Sequence, residues 1–320
     1  MSSLTDFGSD TSTAEIVDYS VDNWQTRTSA SDSSWREIAW NGTVFAASGN
    51  YGIMTSPNGI TWTTRTASGS SSWRGIAWNG SVFANVSYNG LVQTSPDGIT
   101  WTSRTTAEAL QWNGIAWNGT VFAAVAWSGT GTRVMTSPDG TTWTSRTSAA
   151  NSDWFGIAWN GTVFAAVGVN DVMTSPDGIT WTSRTAITGS WKFVAWNGTV
   201  FCAVGSGGIV MTSPDGTTWT SRTSNSSSNL NSIAWNGTVF AAVASQGTGT
   251  RVITSPDGIT WTVRTSPADN EWEGIAWNGL GTGTTLLLPA AGSGSVFAAV
   301  SQSGTGNRVM TNLFYKRDAT

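Results

Sequence analysis

Hydrophobic and polar positions follow each other in short runs along almost the whole chain. A typical unit reads Trp73-Arg-Gly-Ile-Ala-Trp-Asn-Gly, then Ser-Val-Phe-Ala-Asn-Val, then Leu-Val-Gln-Thr-Ser-Pro-Asp-Gly, and finally Ile-Thr-Trp-Thr-Ser-Arg-Thr. Short runs rich in β-branched and aromatic residues, separated by turn-forming residues, are typical of β-strands. The pattern therefore predicts four short strands per unit, here called a to d, and leaves no room for a helix of ordinary length.

This unit is repeated seven times. The Trp of Ala-Trp-Asn-Gly stands at positions 40, 78, 117, 159, 196, 235 and 277. Repeats of this spacing, each with four strands, are the pattern of propeller blades. We predict an all-β fold, a seven-bladed β-propeller with four antiparallel strands per blade.

The two ends of the chain are incomplete in complementary ways. The segment Trp24-Gln-Thr-Arg-Thr matches strand d of the other units, but no strand a, b or c precedes it. The last unit begins at Trp272 and has no strand d after residue 312. Because an unpaired sheet edge is unfavourable, we predict that the N-terminal strand completes the last blade and closes the ring. The predicted organisation is an arm at 1–22, a propeller at 23–312 with an insertion at 280–294, and a tail at 313–320.

The repeated side chains are interpreted as packing residues. Nearly all of the 21 Trp residues occupy three recurring sites, which indicates packing between blades. The strand-d arginines are expected to bond locally, Asn-Gly to form a type I′ turn, and Cys202 to replace a buried Ala.

Composition excludes several functions. The formal net charge is -4, with no His and one Cys. Without a basic stripe we expect no nucleic-acid partner, and without Cys or His clusters we expect no structural zinc or other cofactor. Residues 1–22 lack the features of a signal peptide, and no apolar run is long enough for membrane insertion.

One turn motif resembles that of a known family. The segment Ser95-Pro-Asp-Gly-Ile-Thr-Trp resembles the Asp-box of sialidase-like (BNR-type) propellers, although it is one residue shorter and Asn58 replaces the Asp in the first copy. The resemblance implies the propeller fold and a structural role for these turns. The near-identical repeats also resemble those in virion proteins of tailed phages, which implies a tail, fibre or capsid-decoration role.

The sequence favours a protein that is not an enzyme. Without His, imidazole-based catalysis is excluded, and the Tyr, Glu and Arg set of a sialidase is not present. A glycosidase needs only two carboxylates, so this activity stays a weaker alternative. The non-repeated acids are interpreted as solvated surface residues: Glu37, Glu108, Asp153, Asp171, Glu271 and Glu273.

The b–c and d–a connections vary between repeats, whereas the a–b and c–d turns hardly change. In a four-stranded meander the two pairs lie on opposite sides of the disc, here called the loop face and the turn face. Variable loops on a rigid scaffold are where binding usually resides. The candidate ligand-binding residues on the loop face are Tyr51, Tyr88, Trp127, Arg133, Asp171, Arg251 and Arg308.

The turn face carries the apolar insertion in the last blade. We expect Leu286, Leu287, Leu288 and Pro289 to dock on a larger assembly, because exposed apolar segments are unfavourable in water. The leading hypothesis is a structural accessory protein of a phage virion, held to other virion proteins by the arm and the insertion. It could contact host surface glycan. The alternative is a free, lectin-like carbohydrate-binding propeller.

Overall fold

The structure of the chain is a computed structural model. It describes residues 16–18, 23–279 and 295–317, with side chains at 23–279 and 295–312. Within these residues, no helix has the length and hydropathy needed to cross a membrane. The part of the chain that the structure describes contains one helical element, a single 3₁₀ turn at Ser206–Gly208.

The described strands build seven separate antiparallel sheets, which confirms the predicted seven-bladed propeller. Strands β1 (Ile16–Asp18) and β2 (Trp24–Arg27) come first in the chain. Blade 1 contains β3 (Trp35–Trp40), β4 (Phe45–Gly49), β5 (Gly52–Ser56) and β6 (Thr63–Arg65). Blade 2 contains β7 (Trp73–Trp78), β8 (Phe83–Ser87), β9 (Val92–Ser95) and β10 (Thr102–Arg104). Blade 3 contains β11 (Trp112–Trp117), β12 (Phe122–Ala126), β13 (Val134–Ser137) and β14 (Thr144–Arg146).

The remaining blades repeat this order. Blade 4 contains β15 (Trp154–Trp159), β16 (Phe164–Gly168), β17 (Val172–Ser175) and β18 (Thr182–Arg184). Blade 5 contains β19 (Trp191–Trp196), β20 (Phe201–Gly205), β21 (Val210–Ser213) and β22 (Thr220–Arg222). Blade 6 contains β23 (Leu230–Trp235), β24 (Phe240–Ala244), β25 (Val252–Ser255) and β26 (Thr262–Arg264). Blade 7 contains β27 (Trp272–Trp277), β28 (Ser295–Ser301) and β29 (Val309–Arg317).

Strand β2 supplies the fourth strand of blade 7. It pairs antiparallel with β29, with Trp24 opposite Asn312 and Arg27 opposite Val309. The closure predicted from the two incomplete ends is therefore confirmed. Because first and last strands share one sheet, the ring is closed by a backbone hydrogen-bond ladder.

Strand β29 continues past residue 312, where the sequence placed the start of a separate tail. Its extension pairs with the first residues of β28, so that Ser295 lies opposite Phe314. The extension also pairs with β1, with Ile16 opposite Arg317. The last strand therefore ends at residue 317 and not at the expected residue 312, because its extension pairs with a strand on each side.

The core lies between neighbouring blades. Between blades 3 and 4, Ala123, Val125 and Val134 of one sheet pack against Trp154 and Phe164 of the next. The Trp that opens strand a is fully buried in six blades, and Leu230 takes its place in blade 6. The predicted packing role of these sites is confirmed, and Cys202 is buried as expected.

The Asn-Gly turn differs from the predicted type I′ turn. Gly42 has a positive φ of 100°, but Asn41 is not among the described non-glycine residues with positive φ. The Asn41 side-chain oxygen instead accepts hydrogen bonds from the backbone N–H groups of Thr43 and Val44. The side chain therefore organises a four-residue loop as an Asx turn, which a prediction from the dipeptide alone did not anticipate.

The Ser-Pro-Asp-Gly turns are held by a compact set of local hydrogen bonds. Asp97 accepts from the backbone of Ile99 and Thr100, and the Ser95 hydroxyl accepts from Gly98 N–H. The Trp101 indole N–H then donates to the Gly98 carbonyl, 2.9 Å away. These contacts give the motif a structural role in the blade.

The strand-d arginines also bond locally. In blade 2, Arg104 Nε donates to the hydroxyl of Thr94 on the neighbouring strand, at 2.8 Å. The same pair recurs around the ring, including Arg27 with Thr311 across the closure. Local bonding was predicted, and the structure shows that the acceptor is a threonine hydroxyl of the neighbouring strand.

Candidate functional site

The innermost strand of each blade lines the central channel. The second residue of strand a is half-buried in every blade, whereas the residue before it is buried. These positions carry different side chains in a chain whose repeats are otherwise nearly identical: Arg36, Arg74, Asn113, Phe155, Lys192, Asn231 and Glu273. All seven border one cavity of about 210 Å³, which Trp127 of a b–c loop also lines. The cavity therefore opens at the loop face, and we call it the channel mouth.

Three cations converge on the channel mouth. Arg36 lies 3.5 Å from a carboxylate oxygen of Glu273, and the Nζ of Lys192 lies 4.0 Å above the Phe155 ring. Burial and the nearby charge of Arg36 lower the pKa of Arg74 to about 10. The Nε atoms of Arg36 and Arg74 are buried without a hydrogen-bond partner in the described structure. These two donors are therefore enclosed beneath the surface of the channel mouth, and the rest of each guanidinium group borders the cavity.

Two carboxyl groups share this cavity, which corrects their interpretation as solvated surface acids. Burial raises the pKa of Glu37 to about 8, and its Oε1 accepts a hydrogen bond from Ile38 N–H. Burial also raises the pKa of Glu273, against the opposing charges of Arg36 and Arg74. Ring closure places these acids in the channel, because blade 7 packs against blade 1.

The other acids in that group occupy loops. Glu108 accepts hydrogen bonds from the hydroxyls of Thr132 and Ser145, and Glu271 accepts from the Gln302 amide. These contacts assign both side chains to loop structure.

Aromatic rings form the rim of the channel mouth on one side. The ring centroids of Tyr88 and Trp127 are 5.6 Å apart, and those of Trp127 and Phe155 are 6.1 Å apart. The guanidinium carbon of Arg74 lies 5.2 Å from the Tyr88 centroid. Trp127 is 37% exposed, which is high for such a large apolar ring. Two of the predicted loop-face residues, Tyr88 and Trp127, are thus brought together with cations.

The three predicted loop arginines have structural contacts. Arg133 Nε donates to the Gly129 carbonyl, and its Nη1 donates to the carbonyls of Trp127 and Ser152 and to Asp153. Arg251 and Arg308 bind carbonyls of their own loops in the same way. Each lies beside an acid of the following d–a loop, at 3.6 Å from Asp269 and 3.5 Å from Asp32. Their donors therefore hold loops together, and Arg133 fixes the backbone of Trp127.

The remaining predicted residues lie away from the cavity. Tyr51 is 72% exposed and has a positive φ of 63°. Asp171 is half-buried in a b–c loop and is not among the cavity-lining residues. Residues 286–289, predicted to dock on an assembly, lie outside the described residues, as does the rest of the insertion.

Sequence reasoning missed the charged channel ring of Arg36, Arg74, Lys192, Glu37 and Glu273. A signal for the ring was present, because the residue after the opening Trp of strand a is the most variable position of a strand that is otherwise repeated. Within the described residues, no group of three or more Cys, Asp or Glu side chains could hold a metal ion.

Comparison with solved structures shows the propeller fold at low sequence identity. YCF48 bound to D1 peptide superposes over 94% of this chain and 98% of its own, with a TM-score of 0.67 and 13% identity. The β-propeller domain of Cps50 (Swd1) from Myceliophteria thermophila has a TM-score of 0.66 and 13% identity, covering 93% of this chain and all of its own. The WD40 propeller domain of Doa1 has a TM-score of 0.67 and 11% identity, covering 91% and 96%. No protein-family model matches the chain, and no curated protein matches its sequence.

Proposed function

We propose that this protein is a non-enzymatic binding module and that its channel mouth binds an acidic surface glycan. The observation that carries the proposal is the convergence of Arg36, Arg74 and Lys192 beside the aromatic rim of Tyr88, Trp127 and Phe155. Flat aromatic rings with polar neighbours suit the faces of sugar rings. Guanidinium and ammonium groups supply charge-assisted hydrogen bonds to a carboxylate.

The charge balance of the channel mouth favours an anion. With a pKa of about 8, Glu37 is largely uncharged at pH 7. Among the residues that line the cavity, at most one carboxylate, that of Glu273, therefore opposes the three cations. A cleft lined mainly by one sign of charge concentrates ligands of the opposite sign. The whole chain has a formal net charge of -4, so the excess of cations at the channel mouth is a feature of the site and not of the overall composition.

We also propose the biological setting that the repeats suggested, an accessory protein of a tailed-phage virion. In this setting the turn face attaches to other virion proteins and the loop face points outward to host glycan. A free lectin would use the same site without attachment. Mass spectrometry of purified virions separates these two, because only the first requires the chain in the particle.

The ligand proposal is tested on an array containing acidic and neutral glycans. We expect selective binding of acidic glycans, loss of all binding in Trp127→Ala, and loss of the preference for acidic glycans in Arg74→Gln. Tyr51→Ala is the matched control, because this exposed loop aromatic lies outside the cavity. An array without glycan signal, combined with binding of acidic peptides, would replace the glycan with a peptide. YCF48, which shares the fold, is known in a peptide-bound form.

A second candidate function, hydrolysis of a glycoside, is favoured by one observation. Glu37 and Glu273 border the same cavity and both have a raised pKa, as expected for a general acid. The ion pair of Glu273 with Arg36 and the local hydrogen bond of Glu37 favour a structural role instead. Turnover of reporter glycosides that disappears in Glu37→Gln would establish the enzyme.

A further inference from the structure

The interface between blades 1 and 2 differs from the other six in the polarity of three core positions. At the other interfaces these positions carry Val in one blade, and Ala with Met or Ile in the next. Here they carry Ser48, Asn85 and Gln93, and all three side chains are fully buried. Asn85 and Gln93 lie directly opposite each other on β8 and β9. The three departures therefore form one local group.

The apolar cluster at this interface is correspondingly small. It contains Ala46, Ile53, Ile76, Phe83 and Trp101, whereas the neighbouring interface includes residues equivalent to all three polar positions. The other repeats of the chain carry apolar side chains at each of these three sites. Because buried polar groups cost stability unless they are hydrogen-bonded, the group calls for polar partners.

Several polar atoms at this interface have no hydrogen-bond partner among the described protein atoms. They are Ser48 Oγ, Ser71 Oγ, Trp73 Nε1, Asn85 Nδ2, Asn85 Oδ1 and Gln93 Nε2. In other blades the equivalent Trp donates to the carbonyl four residues earlier, as Trp35 does to Ser31 and Trp191 does to Ile187. Trp73 lacks this bond, so its indole N–H is left inside the interface.

The chemistry of these atoms defines the ligand. Gln93 Oε1 accepts from both the backbone N–H and the hydroxyl of Ser68, at 2.8 and 3.0 Å. Because a backbone N–H can only donate, this contact fixes the amide orientation and turns Nε2 into the interface. The amide and indole donors of the group are Asn85 Nδ2, Gln93 Nε2 and Trp73 Nε1, and they outnumber the single free amide acceptor, Asn85 Oδ1. No charged side chain belongs to the group. A neutral ligand that both accepts and donates hydrogen bonds fits such a group, and water is the usual one in buried polar sites.

The same group supports the loop at 66–72, which leads into strand a of blade 2. Gln93 holds this loop at Ser68, while the Ser71 carbonyl accepts from Tyr51 N–H and the Ser72 carbonyl accepts from Tyr88 N–H. The loop therefore positions the backbone of Tyr88 at the aromatic rim, and Arg74 is the second residue of the strand that follows the loop.

We propose that the interface between blades 1 and 2 is an internal water-binding site formed by Ser48, Trp73, Asn85 and Gln93, and that Gln93 positions loop 66–72 beside the channel mouth. The effect on ligand binding rests on the proposed function, whereas the water site and the anchoring of the loop do not. The polar side chains thus reduce apolar packing at this interface, and in return they hold loop 66–72 in place at the ligand site.

A high-resolution crystal structure of the full chain tests the water site. We expect ordered water oxygens within hydrogen-bond distance of Asn85 and Gln93 Nε2. In the variant Ser48→Val/Asn85→Ala/Gln93→Met, which restores the side chains of the other interfaces, we expect no water there and a melting temperature equal to or about 2 °C above that of the wild type. A dry wild-type interface, with these side chains bonded to each other, would overturn the proposal.

Hydrogen exchange tests the positioning role without any ligand. In Gln93→Met we expect the amides of Ser68 and Tyr88 to exchange about tenfold faster than in the wild type, at equal global stability. Asn85→Ala is the matched control, because it keeps the bond between Gln93 and Ser68. Unchanged exchange in Gln93→Met would refute the positioning role.

Binding of trigalacturonic acid, with maltotriose as the neutral probe, links the loop to the site. We expect Gln93→Met to weaken binding of the acidic probe about tenfold and Asn85→Ala to leave it unchanged. Faster loop exchange with no binding even by the wild type would contradict the glycan proposal alone. Equal binding by wild type and Gln93→Met would contradict the link between loop and site.

Discussion

Glu37 and Glu273 occupy repeated positions of strand a, and contacts with a neighbouring blade determine their ionisation. Position three of strand a is Gly in four blades but Glu37 in blade 1, and position two is Glu273 only in blade 7. Blade 7 packs against blade 1, which brings the two acids together with Arg36. Burial then sets their ionisation, since removing a carboxylate from water disfavours its charged form.

Stability should depend on pH through Glu37. Burial raises the pKa of its carboxyl from 4.5 to about 8, so the folded chain holds this proton more tightly than the unfolded chain. The free energy of unfolding should therefore fall as pH rises from about 4.5 to 8, and this contribution should be constant above 8. In Glu37→Gln this decrease in the free energy of unfolding should be absent, so the stability of the variant relative to the wild type should rise between about pH 4.5 and 8. Urea titrations at several pH values measure this, and parallel curves for the two proteins would refute the raised pKa.

The ligand site should respond to the same proton. Above pH 8 the ionised Glu37 adds a negative charge to the channel mouth, so affinity for acidic glycans should decline there in the wild type but not in Glu37→Gln. Binding isotherms at pH 7 and 9 distinguish the two proteins.

At the scale of the element, the long b–c loops share one hydrogen-bonded design. The sequence Gly-Thr-Gly-x-Arg occurs at 129–133, 247–251 and 304–308, and each Arg binds carbonyls of its own loop. The second Gly N–H donates to a side chain of the next d–a loop, as Gly306 does to Asp32. These contacts join neighbouring blades at the loop face, and in blade 7 they join the last blade to the first.

Arg308→Lys should lower the free energy of unfolding by about 1.5 kcal/mol, because an ammonium group cannot reproduce the paired guanidinium bonds. Arg251→Lys, with the same local contacts between blades 6 and 7, is the control. Because Arg308 spans the closure of the ring, its replacement should also speed hydrogen exchange in β29. Equal exchange in the two variants would show that the loop contact has no part in closure.

For the whole molecule, the closing contact is β2 on β29. Trp24 is buried within the cluster of blades 6 and 7 and stacks on Phe297, with centroids 6.1 Å apart. Strands β1 and β2 both pair with β29, which is remote from them in sequence, and β2 is the one that completes the four strands of the blade. Its side chains therefore tie the ends of the ring as well as filling a core site.

Trp24→Ala should cost about 3–5 kcal/mol, the usual loss for a buried Trp. Trp143→Ala in blade 3 removes the equivalent ring from a blade built of consecutive strands, and is the control. We expect a comparable loss in both, but only Trp24→Ala should release β2 from β29, seen as rapid exchange of both strands before global unfolding. Exchange limited to global unfolding in both variants would contradict a special role for the closing strand.

The sequence by itself determined the strands, the number of blades and the closing partner, because these depend on alternation, turn residues and repeat spacing, which are local or periodic. Tertiary structure alone decided the chemistry of the channel mouth. Arg36, Arg74, Lys192 and Glu273 each follow a buried residue in a separate blade, at a position that varies between repeats. Variability alone does not distinguish side chains that share a cavity from solvated ones. Only the closed ring brings these four side chains into one cavity. Burial there lowers the pKa of Arg74 and of Lys192 and raises the pKa of Glu273.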